Sequence, residues 1–389
     1  MASNRTYDIV VFGATGFTGE LTAAYLAEHA PEGCRWALAG RSTAKLEAVR
    51  TRLTAINPAC ADLPLLHADV ADPASIAAVA EATKVVITTV GPYLQFGEPL
   101  VKACAEAGTD YVDLTGEPEF VDLMYLAHHD TAVASGARIV HACGFDSIPH
   151  DLGAYFTVQQ LPAGEKARVR GVVRSGAQFS GGTFHSAMGA MSRQSHAKKA
   201  LAKRRAKEGR PEGRKVRWVQ GKPGKDGELG YYLLPMPTID PLIVTRSAAA
   251  LDSYGPDFAY SHFAGLKTLR FAVGGALGVG SLVVAANIPP LRNALKKRIK
   301  QGEGPSESRR AKSWFTVDFV GEGGGKTVHT RVSGGDPGYS ETSKMLAESA
   351  MCLAFDENPT TAGQVTTAQA MGDNLLARLQ KAGIQFEVL

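Results

Sequence analysis

The run Tyr7-Asp8-Ile9-Val10-Val11-Phe12-Gly13-Ala14-Thr15-Gly16-Phe17-Thr18-Gly19 constrains this chain more than any other stretch. Four apolar residues from Ile9 to Phe12 stop at a glycine, as a strand buried on both faces does. Glycines follow at 13, 16 and 19, and then Phe17, Leu21, Ala24, Tyr25 and Leu26 recur at helical spacing. Strand, glycine turn and helix form the context of a dinucleotide site. Gly13 permits the turn, Gly16 lets backbone approach a pyrophosphate, and Gly19 lets helix and strand pack closely. The helix start, lined by Ala14, Thr15, Phe17 and Thr18, turns free N–H groups and the positive dipole end toward phosphate charge. The spacing is G-x-x-G-x-x-G, and a glycine turn that serves packing alone is the competing reading.

The second strand, Trp36 to Ala39, ends at Gly40-Arg41, roughly twenty residues beyond the turn, where the ribose is read. A carboxylate there accepts from a 2′-hydroxyl. This chain offers Arg41, Ser42 and Lys45, a set suited to a 2′-phosphate, so the expected cofactor is NADP(H). A solvated arginine at a helix start is the alternative.

Strand and helix patterns alternate as far as residue 150. Strands are expected at 65–70, 85–90, 110–113 and 138–142, with helices near 43–55, 73–82, 98–107 and 117–135. The fold class expected is α/β: a doubly wound parallel (Rossmann) NADP-binding domain, 1–150, followed by a second α+β domain, 151–340, with a mostly antiparallel sheet. Its strands are expected at 167–179, 215–220, 229–234, 314–320 and 327–332, the last two joined by a Gly323-Gly324-Gly325 hairpin. Helices over 342–355 and 366–381, within 341–389, are expected to pack back on the first domain or at the junction.

Ligands of such sheets lie beyond the carboxyl ends of the strands. That nominates Asp69 near the adenine edge, or as a helix cap, together with the turn Gly91-Pro92-Tyr93 and the loop running to His150. Tyr93 and His150 are candidate proton donors, and Ser147 is a candidate holder of a developing oxyanion. Asp146 reads as a residue that fixes loop geometry.

With 389 residues, 44% hydrophobic, and a net charge of +4, the chain is large enough for two domains and too weakly basic to imply nucleic acid. The five cysteines show no metal spacing and read as reduced, and no metal is expected. The first strand starts too early for a signal peptide, so the expected location is cytoplasmic. A homo-oligomer is compatible with this composition. Between Lys198 and Arg217 stand ten Lys or Arg and two acids, read either as a solvated helix or as an anion-facing surface. Residues 271–288 hold no charge and are flanked by Lys267, Arg270, Arg292, Lys296, Lys297, Arg298 and Lys300. The stretch reads as a peripheral contact at the inner face of the plasma membrane, as a greasy channel wall, or as a core helix.

Gly13-Ala14-Thr15-Gly16-Phe17-Thr18-Gly19, Ala39-Gly40-Arg41, Val90-Gly91-Pro92-Tyr93, Tyr111 to Glu117 and Gly144 to Pro149 together resemble the saccharopine dehydrogenase-like oxidoreductases. Ser333 to Tyr339 and Ala382 to Phe386 extend the resemblance to the actinobacterial trans-acting enoyl reductases. That resemblance implies an NADPH-dependent enoyl reductase of (glyco)lipid biosynthesis acting on a hydrophobic acyl or polyketide substrate, free or carrier-bound. A saccharopine-type amino-acid oxidoreductase and a non-catalytic NADPH- or lipid-surface-binding protein are the competing readings. A short-chain dehydrogenase is set aside, because no tyrosine here has lysine four residues later.

Overall fold

The chain is described by a computed structural model over residues 5–177, 181–298 and 305–389. The end of the strand read to 179, Lys300, and the side chains of Lys296 and Arg298 lie outside those residues.

In chain order the first half contains β1 (Tyr7–Phe12), α1 (Phe17–His29), β2 (Trp36–Gly40), α2 (Thr43–Ile56), β3 (Leu65–His67), α3 (Pro73–Ala82), β4 (Thr83–Thr88), α4 (Tyr93–Phe96), α5 (Glu98–Ala107), β5 (Asp110–Asp113), α6 (Pro118–Ser135), β6 (Arg138–Val140) and α7 (Ile148–Val158). The second half begins with β7 (Ala167–Ser175), α8 (Gly181–Ser192), α9 (Gln194–Glu208), β8 (Lys215–Trp218), β9 (Gly224–Lys225), β10 (Tyr232–Pro235), α10 (Asp240–Ala250) and β11 (Asp257–Leu266). It continues through α11 (Leu269–Asn287), α12 (Pro289–Arg298), α13 (Glu307–Arg310), β12 (Phe315–Gly323), β13 (Lys326–Gly334), α14 (Ser340–Phe355), β14 (Gly363–Val365), α15 (Thr367–Ala370), α16 (Gly372–Lys381) and β15 (Gln385–Val388).

The first sheet is parallel throughout, in the order β14-β6-β5-β4-β1-β2-β3. The order reverses at β1 and β4, so a crevice opens at the carboxyl end of β1, where the glycine turn lies. Helices cover both faces. Ile9 and Val11 pack in one cluster with Met345 and Leu346 of α14, while Val10 and Phe12 pack in the other with Ile76, Val79, Leu100 and Val101. That two-sided burial is why β1 is an unbroken apolar run.

The second sheet runs β15-β13-β12-β7-β11-β10-β9, with β8 beside β11. Its ladders are antiparallel except where β11 meets β7 and β8. The hairpin of β12 and β13 forms in the expected place. The central strand β11 is absent from the sequence reading, although Phe258 and Tyr260 are fully buried in it. Burying a side chain such as Phe258 contributes about 1.5–3 kcal/mol. Beyond α14, two strands join the sheets: β14 extends the first and β15 edges the second.

Part of the basic stretch works inside the molecule. Arg204 of α9 is buried, pairs with Asp122 at 3.4 Å, and lies over the Tyr125 ring. Arg246 of α10 bonds the same carboxylate, and burial together with the Arg204 charge pushes its guanidinium down to about 10. Lys207 meets Asp130, and Arg214 caps carbonyls at the end of α10. α9 thus docks on α6 through Arg204 and Lys207, while Lys198, Lys199, Lys203, Arg205 and Arg210 are exposed, as the solvated-helix reading expects. Asp122→Ala leaves Arg246 without its carboxylate and should lower stability by about 3–5 kcal/mol, read as the shift of a urea unfolding midpoint. An unchanged midpoint would show that the pair contributes nothing.

The uncharged stretch forms α11. Leu269, Phe271, Val273, Leu277, Val279 and Val284 are exposed, which rules out a core helix.

Candidate functional site

The glycine turn has the geometry a phosphate cradle requires. Gly13 adopts φ +89°, donates to the Ala39 carbonyl at 3.1 Å, and accepts from Gly16 at 3.0 Å. A Cβ on Gly19 would stand 2.2 Å from the Gly13 oxygen, so only glycine lets α1 approach β1 this closely. Thr15 and Gly16 are exposed at the mouth, and Ala14 is buried beneath them. The Phe17 ring packs edge-on to Tyr339, and the Thr18 carbonyl accepts from Ser343 of α14. The late segment Asp336 to Ser343 therefore braces the turn.

At the end of β2, Arg41 and Lys45 are exposed, and Arg41 has no side-chain partner among the described residues. Ser42 caps α2 by accepting from the Lys45 amide at 3.4 Å. Asp69 accepts from the Ala71 amide and shapes the turn before α3, whose cap is Asp72. The cradle, with cations where the 2′-phosphate of NADP(H) would lie, fits that cofactor.

The ends of β4, β5 and β6 are joined by buried acids. Asp113 accepts from the Tyr111 hydroxyl, from the amides of Thr115 and Ala142, and sits 2.7 Å from His141 Nδ1. Ala142 takes φ +60°, a left-handed conformation that a non-glycine residue adopts only where its surroundings enforce it. Glu117 accepts from the amides of Tyr93 and Leu94 and from the Ser186 hydroxyl.

Tyr93 departs from expectation. Gly91 is exposed and Pro92 half-buried, but the phenol turns inward, 7% exposed. Its hydroxyl donates to the Thr88 carbonyl at 3.1 Å and accepts from the Leu114 amide at 3.2 Å. Burial and the Asp113 charge push it well above the usual phenol range. So placed, it pins β4 to β5, with its hydroxyl hydrogen directed at the Thr88 carbonyl rather than into the crevice.

The loop from Gly144 to His150 gathers the other polar groups. Phe145 donates its amide to Thr342 and stacks edge-on with Phe315 and with His150. Ser147 is sealed, its Oγ without a hydrogen-bond partner in the described structure. His150 Nδ1 lies 3.1 Å from Asp240 Oδ1, at the start of α10. Asp240 Oδ2 accepts from Thr238 and stands 3.6 Å from His262 Nε2 on β11. The Tyr260 hydroxyl is 3.1 Å from His262 Nδ1. Burial pushes His262 down to about 3, leaving a neutral ring. Asp240 is itself buried, yet His150, His262 and Thr238 hold its carboxyl below the usual range.

Asp146 behaves oppositely. Burial and the neighbouring Asp240 charge raise it to about 7, against the pull of His150. It remains partly exposed and rests on Gly116, where a Cβ would come within 3.0 Å of Oδ2. The sequence reading missed Asp240 and His262 altogether and gave Asp146 only a structural part. His150, Asp240 and His262 are also the described group whose donor atoms converge as a metal site requires, within 4.8 Å.

An open groove of about 420 Å³ runs from Phe315 past Trp314, Ser333 and Gly335. A second cavity, at Lys84, Asp110 and Arg138, lies at the amino ends of the strands, away from this constellation.

Cradle, cations and crossover order define an NADP-dependent oxidoreductase. Residues 9–140 match the saccharopine dehydrogenase NADP binding domain. One Mycobacterium tuberculosis protein is 39% identical over 99% of this chain and 98% of its own length. The trans-acting enoyl reductase of the same organism is 37% identical over 98% and 97%, and that of Mycobacterium ulcerans is 36% identical over 98% of each. The chain belongs to this family of trans-acting enoyl reductases within the saccharopine dehydrogenase-like proteins. Saccharopine dehydrogenase (L-Glu forming) of Saccharomyces cerevisiae shares the fold, with a TM-score of 0.58 at 13% identity, covering 98% of this chain and 100% of that one.

If Arg41 meets the 2′-phosphate, Arg41→Ala should weaken NADPH binding by about 1.5–3 kcal/mol and leave NADH binding little changed. Titration calorimetry with both cofactors checks this, and equal losses would remove Arg41 from the role.

Proposed function

We propose that this protein reduces the activated carbon–carbon double bond of a long-chain acyl or polyketide intermediate in (glyco)lipid biosynthesis, using NADPH. The observation that carries the reading is the meeting of the Asp146–His150 loop with Asp240 of α10, 3.1 Å from His150 Nδ1, which sets two acids in opposed surroundings, Asp146 raised to about 7 and Asp240 lowered. The names of the relatives support the reaction type. The exposed Trp314 ring in the groove, with no cationic side chain among its lining residues, suits an apolar chain better than an amino dicarboxylate.

Bound NADPH supplies the hydride. The protein must then deliver one proton to the neighbouring carbon or to the enolate oxygen. Asp146, protonated near neutrality and half-open, is the donor. Its neutral form also removes the repulsion that a carboxylate would exert on an enolate. His150, oriented by Asp240 with its Nε2 unpartnered, stands beside it as the second titratable group. The sealed Ser147 supports the loop, and Tyr93 holds the strand ends together.

Because the acid form of Asp146 is the active one, kcat/KM should fall as pH rises through about 7. Asp146→Asn should lower kcat by roughly 10²- to 10⁴-fold, abolish that alkaline limb, and leave NADPH binding intact. The assay is NADPH oxidation with a long-chain 2-enoyl thioester, with a gain of two hydrogens read by mass spectrometry. Normal turnover of the variant with the limb retained would remove Asp146 from the role, and glutamate formation from saccharopine would replace the substrate class.

In this reading His150, Asp240 and His262 are held by one another and by Thr238 and Tyr260, and need no cation. Dialysis against a chelator should therefore leave turnover unchanged. Loss restored by a divalent metal ion would reassign the three as ligands.

A further inference from the structure

The helix α11 carries an apolar surface that the fold leaves uncovered. Leu269, Val273, Leu277, Val284 and Ile288 are 44–68% exposed, and spacings of four and seven set them along one stripe. The opposite side meets the protein at both ends. Ala272 is buried near the start, while Ala285 and Ala286 pack near the end with Met188 of α8. Leu282 faces the same cluster, beside Phe184 and Met191. Held at both ends, the helix presents this stripe outward, and Phe271 and Val279, toward its other side, are uncovered as well. Nineteen residues give a rod of about 28 Å. Its mean hydropathy of 1.7 would suffice for a membrane span, but spanning would tear Ala272 and Ala285 from their neighbours.

Along α11 and α12 the charge is of one sign. From Leu269 through Arg298 there is no acidic residue, and Lys267, Arg270, Arg292 and Lys297 stand at the two ends of the stripe. A second copy laid across the stripe by two-fold symmetry would bring these cations against one another. A surface of anionic head groups neutralises both ends while acyl chains cover the stripe.

We infer that α11 docks this protein flat on an anionic lipid bilayer, the stripe from Leu269 to Ile288 entering the interface and the terminal cations meeting head groups. The inference rests on the helix alone and holds whichever reaction the crevice performs. One layer separates the two: α8, whose Met188 lies under α11, carries Ser186, which bonds Glu117 at the strand ends. Docking therefore places the lipid surface one helix away from the strand ends where Glu117 holds the Tyr93 amide.

The test is flotation of the full-length protein with vesicles of phosphatidylcholine, with and without phosphatidylglycerol. The protein should float with the anionic vesicles at low salt. Arg270→Gln should weaken binding roughly fivefold, in line with one cation near such a surface. Leu277→Asp and Val284→Asp replace exposed side chains, so circular dichroism and NADPH affinity should match the parent protein. Flotation should fall on the order of tenfold or more in each. Flotation equal to that of the parent in both variants overturns the inference. So does a concentration-dependent dimer in sedimentation velocity that the same substitutions disperse, which would give the stripe to a second copy.

Discussion

One buried carboxylate ties the molecule together. Asp151 of α7 accepts from the Ser247 hydroxyl of α10, from the Thr367 hydroxyl, and from the Ala368 amide. Ser247 reaches on to Thr366, directly after β14. Burial raises the Asp151 carboxyl, and these three bonds draw it back toward the ionised form. The helix leaving the first sheet, a helix of the second domain and the returning C-terminal segment thus meet at a single group. Each removed partner would leave a buried polar atom unpaired, at a cost of about 1–3 kcal/mol. The same knot sets the site, because α7 begins with Ser147 and His150 while α10 begins with Asp240.

A second knot works at the strand ends. Asp113 collects two amides, a phenol and an imidazole, and holds Ala142 in its left-handed conformation. The turn at Ala142 swings the chain from β6 into the loop carrying Asp146. Tyr93 adds its hydroxyl to the same junction through Leu114. The phenol proposed as a source of protons is a brace, and the carboxylate that seemed a brace in the sequence has the environment of an acid. Burial reverses the two roles: it locks a phenol far above neutrality and lifts a carboxyl into range.

The C-terminal segment links the phosphate turn to the loop of Phe145 and Asp146. Ser343 supports the phosphate turn through Thr18, and Thr342, one residue earlier, supports Phe145 in the other loop. A shift of α14 would move both loops together, so the relative position of the cradle and the Phe145 loop is a property of one helix. The groove from Phe315 starts at this junction, with Gly334 and Gly335 leading into the same segment.

Much of the first domain was legible because its order is local. The apolar run of β1, the glycine turn and Arg41 fall within a few tens of residues, each element close to its partner in sequence. The hairpin of β12 and β13 was legible for the same reason, through its three glycines. β11 was not: its ladders reach residues 167–173, 215–218 and 232–235, and its pattern mixes Ala259, Ala264 and Gly265 with aromatics. β14, with three residues, is too short to show a period. The exposure of α11 and the burial of Arg204 depend on what packs against them, and composition gave both outcomes equal standing. By itself the sequence determined the cofactor fold, since backbone sterics and the 2′-phosphate demand particular residues at fixed spacings. Only the tertiary structure brought Asp240 and His262, from distant elements, against the loop of Asp146 and His150, because burial and neighbouring charge, which raise Asp146 and lower His262, exist only in the folded chain.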